Sequence, residues 1–450
     1  MSLRAFLQEE ERAGEVLHIS DVLSTRFEIS AVLKELEEGP ILIFENVEGY
    51  DVKVVANVCN SREKLCKALR VDGRELYSKV SKASNYPSAP EVVAKGPVRE
   101  VTEKPELSKL PILTHYERDA GAYITSAVIY AKMPKGEVEN VSIHRLLVLD
   151  DDHLAIRLVP RHLFQIWKMA KEKKVNLEVS ISLGLHPAVM LAAATSPPFG
   201  VNEFGIANAL LERKLKLIKC SKVKAYAPAE AELVLEGILY TDKEVPEGPL
   251  VDLTGTYDIT RNQPVIEVVS FMHRKDYFYQ ALLPGGAEHR LLMGFPREVA
   301  IWEAVSKVVP EVKAVNLTKG GSGWLHAVIS IKKQKEGDSK NALMAAFAAH
   351  PSLKHAVVVD SDIDVYDMDD VEWTIATRFQ ADKDLILIPH ARGSSLDPSA
   401  DQRSGETVKW GIDATRPLDK PEENFERAKI PLDDRVKAIL ERIRSGSSRW

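Results

Sequence analysis

Cysteine is scarce in this chain. Only Cys59, Cys66 and Cys220 occur, with no Cys-x-x-Cys pair. That excludes a disulfide framework and a cysteine-built zinc site. A basic surplus is also missing. Sixty Lys and Arg stand against 66 Asp and Glu, for a formal net charge of -6, with no basic tail or stripe. Nucleic acid is therefore not the expected partner. No apolar run approaches the ~20 residues that span a bilayer, so no membrane span is expected. MSLRAFLQEEERAGEV turns acidic before an apolar core forms, unlike a secretory leader, and a cytoplasmic location is the expectation. No internal repeat and no low-complexity segment is visible.

What remains is an ordinary globular composition, 45% hydrophobic and 28% charged over 450 residues, enough for two or three domains. SLRAFLQEEERAGEV is helical in period, with Leu3, Phe6 and Leu7 on one face. Pro40–Val47 and Val52–Cys59 are short strands, and SREKLCKALRV is a helix capped by Ser61. The proline-bearing, charged stretch from Ala89 to Asp119 breaks this α/β pattern. Beyond it AYITSAVIYAKM, VSIHRLLVLD, LAIRLVP, NLEVSISLG, AELVLEGILY and PVIEVVSFMHR are strand-like. The helical runs RHLFQIWKMAKEKK and NEFGIANALLERKLK interrupt them. Strands in that number, without a βαβ repeat, predict a barrel-like sheet. After PREVAIWEAVSKVVP, strands and helices alternate again, and RAKIPLDDRVKAILERIRSGSSRW is a terminal amphipathic helix. The fold class expected is a multidomain mixture of α/β and α+β. It comprises an N-terminal α/β domain over 1–115, a barrel domain over 116–300 and a C-terminal α/β domain over 301–450.

Several segments carry possible chemistry. In VPEGPLVDLTGTYD, Glu247 and Asp252 bracket a Gly-Pro turn. In NVSIHR, an extended backbone puts Ser142 and His144 on one face and Ile143 and Arg145 on the other. An arginine facing inward needs a carboxylate or an anion, whereas one at a strand edge needs nothing but water. RLVPRH sets Arg161 and His162 at a helix start, where anions collect. SPPFGVNEFG carries Glu203 at another, where the helix dipole favours a carboxylate anyway. Asn140, His162 and Glu203 together would suit a hard divalent cation with open positions, although spacing alone does not bring them together. Three other segments fall short of their motifs. TKGGSG lacks the Lys-Ser ending of a phosphate loop, DSDIDVYDMDD lacks the glycine and final glutamate of a calcium loop, and GGSGW lacks the helix of a dinucleotide fingerprint.

Taken in order, NVSIHR, RLVPRH, PPFGVNEFG, PAEAELVLEG, PEGPLVDLTGTYD, VVVDSDIDVYDMDDVEWTIATR, RGSSLDPSA and VKWGIDAT resemble the UbiD-type decarboxylases. The resemblance implies a central split β-barrel that binds prenylated FMN and a C-terminal domain used in homodimerisation. It implies a divalent metal, usually Mn2+, on Asn140, His162 and Glu203, with K+ close by. Ser142, Ile143, His144, Arg145, Arg161, His162 and Glu203 would line the cofactor cradle, and Lys409 would reach its phosphate. Arg145, Glu247 and Asp252 would form the acid-arginine-acid catalytic set, Asp standing where some relatives have Glu. In that set Arg145 orients the substrate carboxylate and Asp252 delivers the proton. An acid held beside another carboxylate away from water keeps its proton near neutrality. A flavin prenyltransferase would supply the cofactor.

The segment PGGAEHRLLMGFPRE resembles archaeal members, which points to trans-anhydromevalonate 5-phosphate as substrate and isopentenyl phosphate as product. The alternative is a polyprenyl-hydroxybenzoate or other aromatic acid. A split-barrel flavin oxidoreductase, or a flavin-binding homologue without activity, is the reading from a different class. His273, Arg274, His289 and Arg290 are candidates for a substrate phosphate.

Overall fold

Six of the apolar runs close into a ring. In the computed structural model, which describes residues 1–133, 136, 138–428 and 430–446, their order is Leu233–Glu247, Leu177–Leu183, Tyr123–Lys132, Glu139–Val148, His153–Ile156 and Arg261–His273. The last strand pairs back onto the first, and every pairing in the ring is antiparallel. Ile129, Leu146, Leu154, Ile181, Leu235 and Ile266 meet in one core. Val128, Tyr130 and Val141 join a second core with the helices Pro187–Ala194 and Glu203–Leu210. Strands buried on both sides read as continuous apolar runs, which is the pattern here. The expected barrel is present.

The N-terminal sheet has the order Val16–Leu23, Ile41–Val47, Val54–Ala56 and Tyr279–Gln280. Its last strand comes from the far end of the barrel segment. A five-stranded C-terminal sheet runs Val312–Leu317, His326–Ile331, His355–Asp360, Glu406–Ala414 and Leu385–Arg392. Leu343 and Phe347 cover Ile329 and Val358 on one face, while Ile363 and Val371 cover Val328 and Val357 on the other. The acidic run DSDIDVYDMDD serves this scaffold. Asp360 and Asp362 hold the buried Arg378, and Asp367 caps the helix Met368–Arg378.

One helix ties the two ends of the molecule together. Ala287–Val305 continues through Pro296. It places Leu292, Phe295 and Val299 in the core under the barrel and Ile301 and Val305 in the C-terminal core. The terminal amphipathic helix spans Asp434–Gly446, and the final four residues of the run expected to be helical lie outside the described residues. No helix among the described residues is long and apolar enough to cross a membrane.

Candidate active site

Glu247 ends its barrel strand, and the chain then turns at Gly248, whose φ is +98°. A side chain there would be strained, and an added Cβ would lie 3.3 Å from the Ile259 carbonyl oxygen. After the turn Leu250–Val251 pairs with Tyr257–Asp258 in a short antiparallel ladder. The turn and ladder bring three acids, Glu247, Asp252 and Asp258, to one arginine.

That arginine is Arg145, on the strand Glu139–Val148. Its Nε donates to Glu247 Oε1 at 2.9 Å and its Nη2 to Glu247 Oε2 at 3.1 Å, a two-point clamp. Nη2 also donates to Asp258 Oδ2 at 3.2 Å. Nη1 lies 3.6 Å from Asp252 Oδ2, an ion pair without a hydrogen bond. Burial works against the Arg145 charge, but Glu247, then Asp252 and Asp258, hold its pKa above the ordinary value. Glu247 has no exposed side-chain surface and also accepts from the Tyr123 hydroxyl at 3.1 Å. Asp252 is 23% exposed, and among the described residues its Oδ1 accepts only from the neighbouring Leu253 amide, at 2.7 Å. The two acids of PEGPLVD therefore differ in freedom. Glu247 is locked and Asp252 is available.

Asp258 is the acid that sequence reasoning missed. Besides Arg145 it meets Arg157 Nε at 3.4 Å and Arg261 Nη1 at 2.6 Å. Burial raises its pKa, but Arg261, Arg145 and Arg157 together hold it below the ordinary carboxylate value. Nothing in TGTYD separated it from a common strand-mouth acid.

The phosphate candidates also separate. The His289 imidazole accepts from the Gly285 amide at 3.0 Å. Burial lowers its pKa, while Asp252 raises it and Arg145 and Arg290 lower it further, which places it beside the acids. Arg290 is tied to Glu37 at 3.1 Å. His273 stacks on Phe271, and Arg274 pairs with Glu230 at 2.7 Å. These last three are engaged in the scaffold.

A second group lies along the other face of the Arg145 strand. Ser142 Oγ donates to Asn140 Oδ1 at 2.9 Å and lies 2.8 Å from His144 Nε2, and His144 Nδ1 lies 3.0 Å from the Arg157 carbonyl oxygen. Burial pushes His144 down to about 4. Asn140 Nδ2 donates to Glu203 Oε1 at 2.9 Å, and the Val141 amide donates to Oε2 at 2.7 Å. Burial raises Glu203 to about 7 despite those donors. His162 opens its helix and meets Phe199 edge-on, four residues before Glu203. Ile143 packs against the core that includes Val141. Asn140 and Glu203 thus meet directly, and His162 touches the loop leading to Glu203. Amide, carboxylate and imidazole are donor types that suit a hard divalent cation.

Arg161 and Arg297 lie beside this group. Both donate to Ser196 Oγ, at 3.3 and 2.7 Å, and both guanidinium groups stand over the Trp324 ring, at 5.9 and 5.7 Å from its centre. Crowding by protein, then Arg161, lowers Arg297 to about 10. Lys409 donates to the Pro351 and Leu353 carbonyls, at 2.5 and 2.7 Å, and burial lowers it to about 8. Arg297 was also missed by sequence reasoning. A signal existed: the residues three and four positions away on its helix are Met293, Gly294, Ala300 and Ile301, none acidic.

Comparison with known proteins places this geometry. Residues 7–84, 91–287 and 290–414 match the N-terminal, Rift-related and C-terminal domains of 3-octaprenyl-4-hydroxybenzoate carboxy-lyase. The chain belongs to the UbiD family. It is a UbiD-type decarboxylase, in keeping with the acid-arginine-acid set. The anhydromevalonate phosphate decarboxylase of Methanothermobacter thermautotrophicus is 46% identical over 94% of this chain and 99% of its own. That of Aeropyrum pernix is 46% identical over 96% of each chain. Among solved structures, the UbiD-class enzyme HmfF from Pelotomaculum thermopropionicum in complex with FMN superposes with a TM-score of 0.95. It is 40% identical, over 98% of this chain and 100% of that one.

Proposed function

We propose that this UbiD enzyme uses prenylated FMN to decarboxylate trans-anhydromevalonate 5-phosphate to isopentenyl phosphate. The observation that carries the reading is the Arg145 site: a locked Glu247, an available Asp252 and a guanidinium between them. The near full-length relatives named for anhydromevalonate phosphate support the substrate. Prenylated FMN, when bound, supplies the electron sink that lets carbon dioxide leave. Asn140, His162 and Glu203 would hold Mn2+ at the cofactor phosphate, with K+ nearby. Ser142, Ile143, His144, Arg161 and Lys409 would line the cradle. The three-domain division at residues 115 and 300, a cytoplasmic location, supply of cofactor by a flavin prenyltransferase and homodimerisation through the C-terminal domain belong to the same proposal.

The role of each acid follows from charge. Arg145, Arg157 and Arg261 balance Glu247, Asp252 and Asp258, so the site is neutral with every group ionised. A substrate carboxylate adds one negative charge in a confined space, and holding a proton on one acid restores neutrality. Glu247 is clamped twice and Asp258 faces three guanidiniums, which leaves Asp252 to carry it. Asp252 then gives the proton to the carbon that has lost the carboxylate.

Two measurements test the reading. Protein made with a flavin prenyltransferase, incubated with trans-anhydromevalonate 5-phosphate, yields isopentenyl phosphate, and the same protein with plain FMN does not. Turnover of hydroxybenzoates in preference to this substrate sinks the substrate assignment; full activity with plain FMN sinks the cofactor assignment. Asp252→Asn lowers product formation by about 100- to 10,000-fold while substrate still binds.

A further inference from the structure

Arg161 and Arg297 come from distant parts of the chain. Arg161 precedes the helix His162–Glu172, and Arg297 lies in the second half of the helix Ala287–Val305. Yet they converge on one hydroxyl, Ser196 Oγ, and on one indole ring, Trp324. Elsewhere in this molecule arginines drawn together are neutralised, as Arg145, Arg157 and Arg261 are by Asp258. Among the described residues no carboxylate pairs with Arg161 or Arg297. A serine hydroxyl and an aromatic face do not cancel two like charges. Arg161 is exposed and Arg297 half-buried, so the two remain open to a ligand from solvent.

The loop that carries Trp324 is built for this approach. A Cβ on Gly294 would lie 2.5 Å from the Gly323 carbonyl oxygen, so the glycine-rich turn rests directly on the arginine helix. That close seating accounts for the GGSGW segment that matched no nucleotide motif.

We propose that Arg161, Arg297 and Ser196 form a bracket for the dianion of a phosphate monoester, with Trp324 as its wall. Two planar guanidiniums and a hydroxyl match three phosphate oxygens, and two positive charges match the dianion. The phosphate belongs either to the flavin or to the substrate, and the inference rests on the proposed function for that choice.

The test uses binding as its readout. Apo full-length wild type, Arg297→Gln and Arg161→Gln are titrated with FMN and with riboflavin. The FMN-loaded proteins are then titrated with isopentenyl phosphate and with the corresponding alcohol. If the bracket holds the flavin phosphate, both variants lose FMN affinity by about 10- to 100-fold while riboflavin affinity is unchanged. If it holds the substrate phosphate, FMN affinity is kept and the phosphorylated ligand loses affinity by a similar factor while the alcohol does not. Unchanged affinity for both phosphates overturns the bracket. The apo proteins give an independent check, since removing one of two repelling cations leaves the melting temperature equal or higher. A lower melting temperature for apo Arg297→Gln overturns the bracket in favour of a structural arginine. Should wild type bind no flavin, the cofactor reading fails, and inorganic phosphate takes its place as probe. A phosphate-induced rise in wild-type melting temperature that is lost in Arg297→Gln then supports the bracket, and no rise overturns it.

Discussion

Asp258 stands between three guanidiniums, and only one of them is the arginine that meets the substrate in the proposed reaction. Arg157 and Arg261 hold Asp258, and Asp258 shares Nη2 of Arg145 with Glu247, which also holds Nε. The free edge, Nη1, then points towards Asp252. Asp258→Asn keeps the shape but removes one negative charge from a balanced set. Arg145 then has less holding it in plane, and the site carries a net positive charge. We expect kcat to fall by about 10- to 100-fold, as for loss of one charge-assisted contact. KM should change little. An unchanged kcat would show that Glu247 alone holds Arg145 in place.

At the scale of elements, the helix Ala287–Val305 sets the position of both His289 and Arg297, and Glu288 anchors its start. The Glu288 carboxylate accepts from the Asn57 amide at 3.1 Å and from the Cys59 amide at 2.7 Å, tying the helix to the N-terminal sheet. Glu288→Ala orphans two buried amides, at a cost of about 1–3 kcal/mol each. The variant should melt at lower temperature and also lose activity through the displaced helix start. Glu288→Gln keeps one acceptor and should recover much of both. Equal melting temperatures for wild type and Glu288→Ala would show that the anchor is dispensable. Nothing in PGGAEHRLLMGFPRE advertised a helix, because Pro296 lies inside it and breaks the usual signal. Pro187–Ala194 was missed for a different reason: seven of its eight residues are apolar and buried, so it has no amphipathic period to read. The barrel strands were legible because their β-branched runs are bounded by turn residues. Within the site, Arg145, Glu247 and Asp252 were legible because ordered motifs carried them. Asp258 and Arg297 were not, since their meaning depends on partners up to 136 positions away, as for Arg297 and Arg161.

At the scale of the whole molecule, burial of neutral histidines sets the response to acid. His115, His186, His326 and His350 are each lowered to about 3 by burial. In the unfolded chain each binds a proton near pH 6.5. Their contribution to stability is therefore complete above about pH 6.5 and is lost as pH falls towards about 3. Each fully titrating histidine adds a slope of about 1.4 kcal/mol per pH unit. Glu288 and Glu203 act in the opposite sense. Burial raises both to about 7, so their contribution is present below about pH 4.5 and lost as pH rises through 7. These four histidines, with His144 lowered to about 4, outnumber the two glutamates, which leaves a net loss on acidification, and stability should drop steeply between about pH 6 and pH 4. His115 is the cleanest probe, because neither of its ring nitrogens has a hydrogen-bond partner among the described residues. His115→Phe removes one of these titrating groups without breaking a bond, so urea denaturation at pH 7 and pH 5 should show a smaller difference than in wild type. An unchanged difference would mean that the ring is already protonated, or already solvated, in the folded protein.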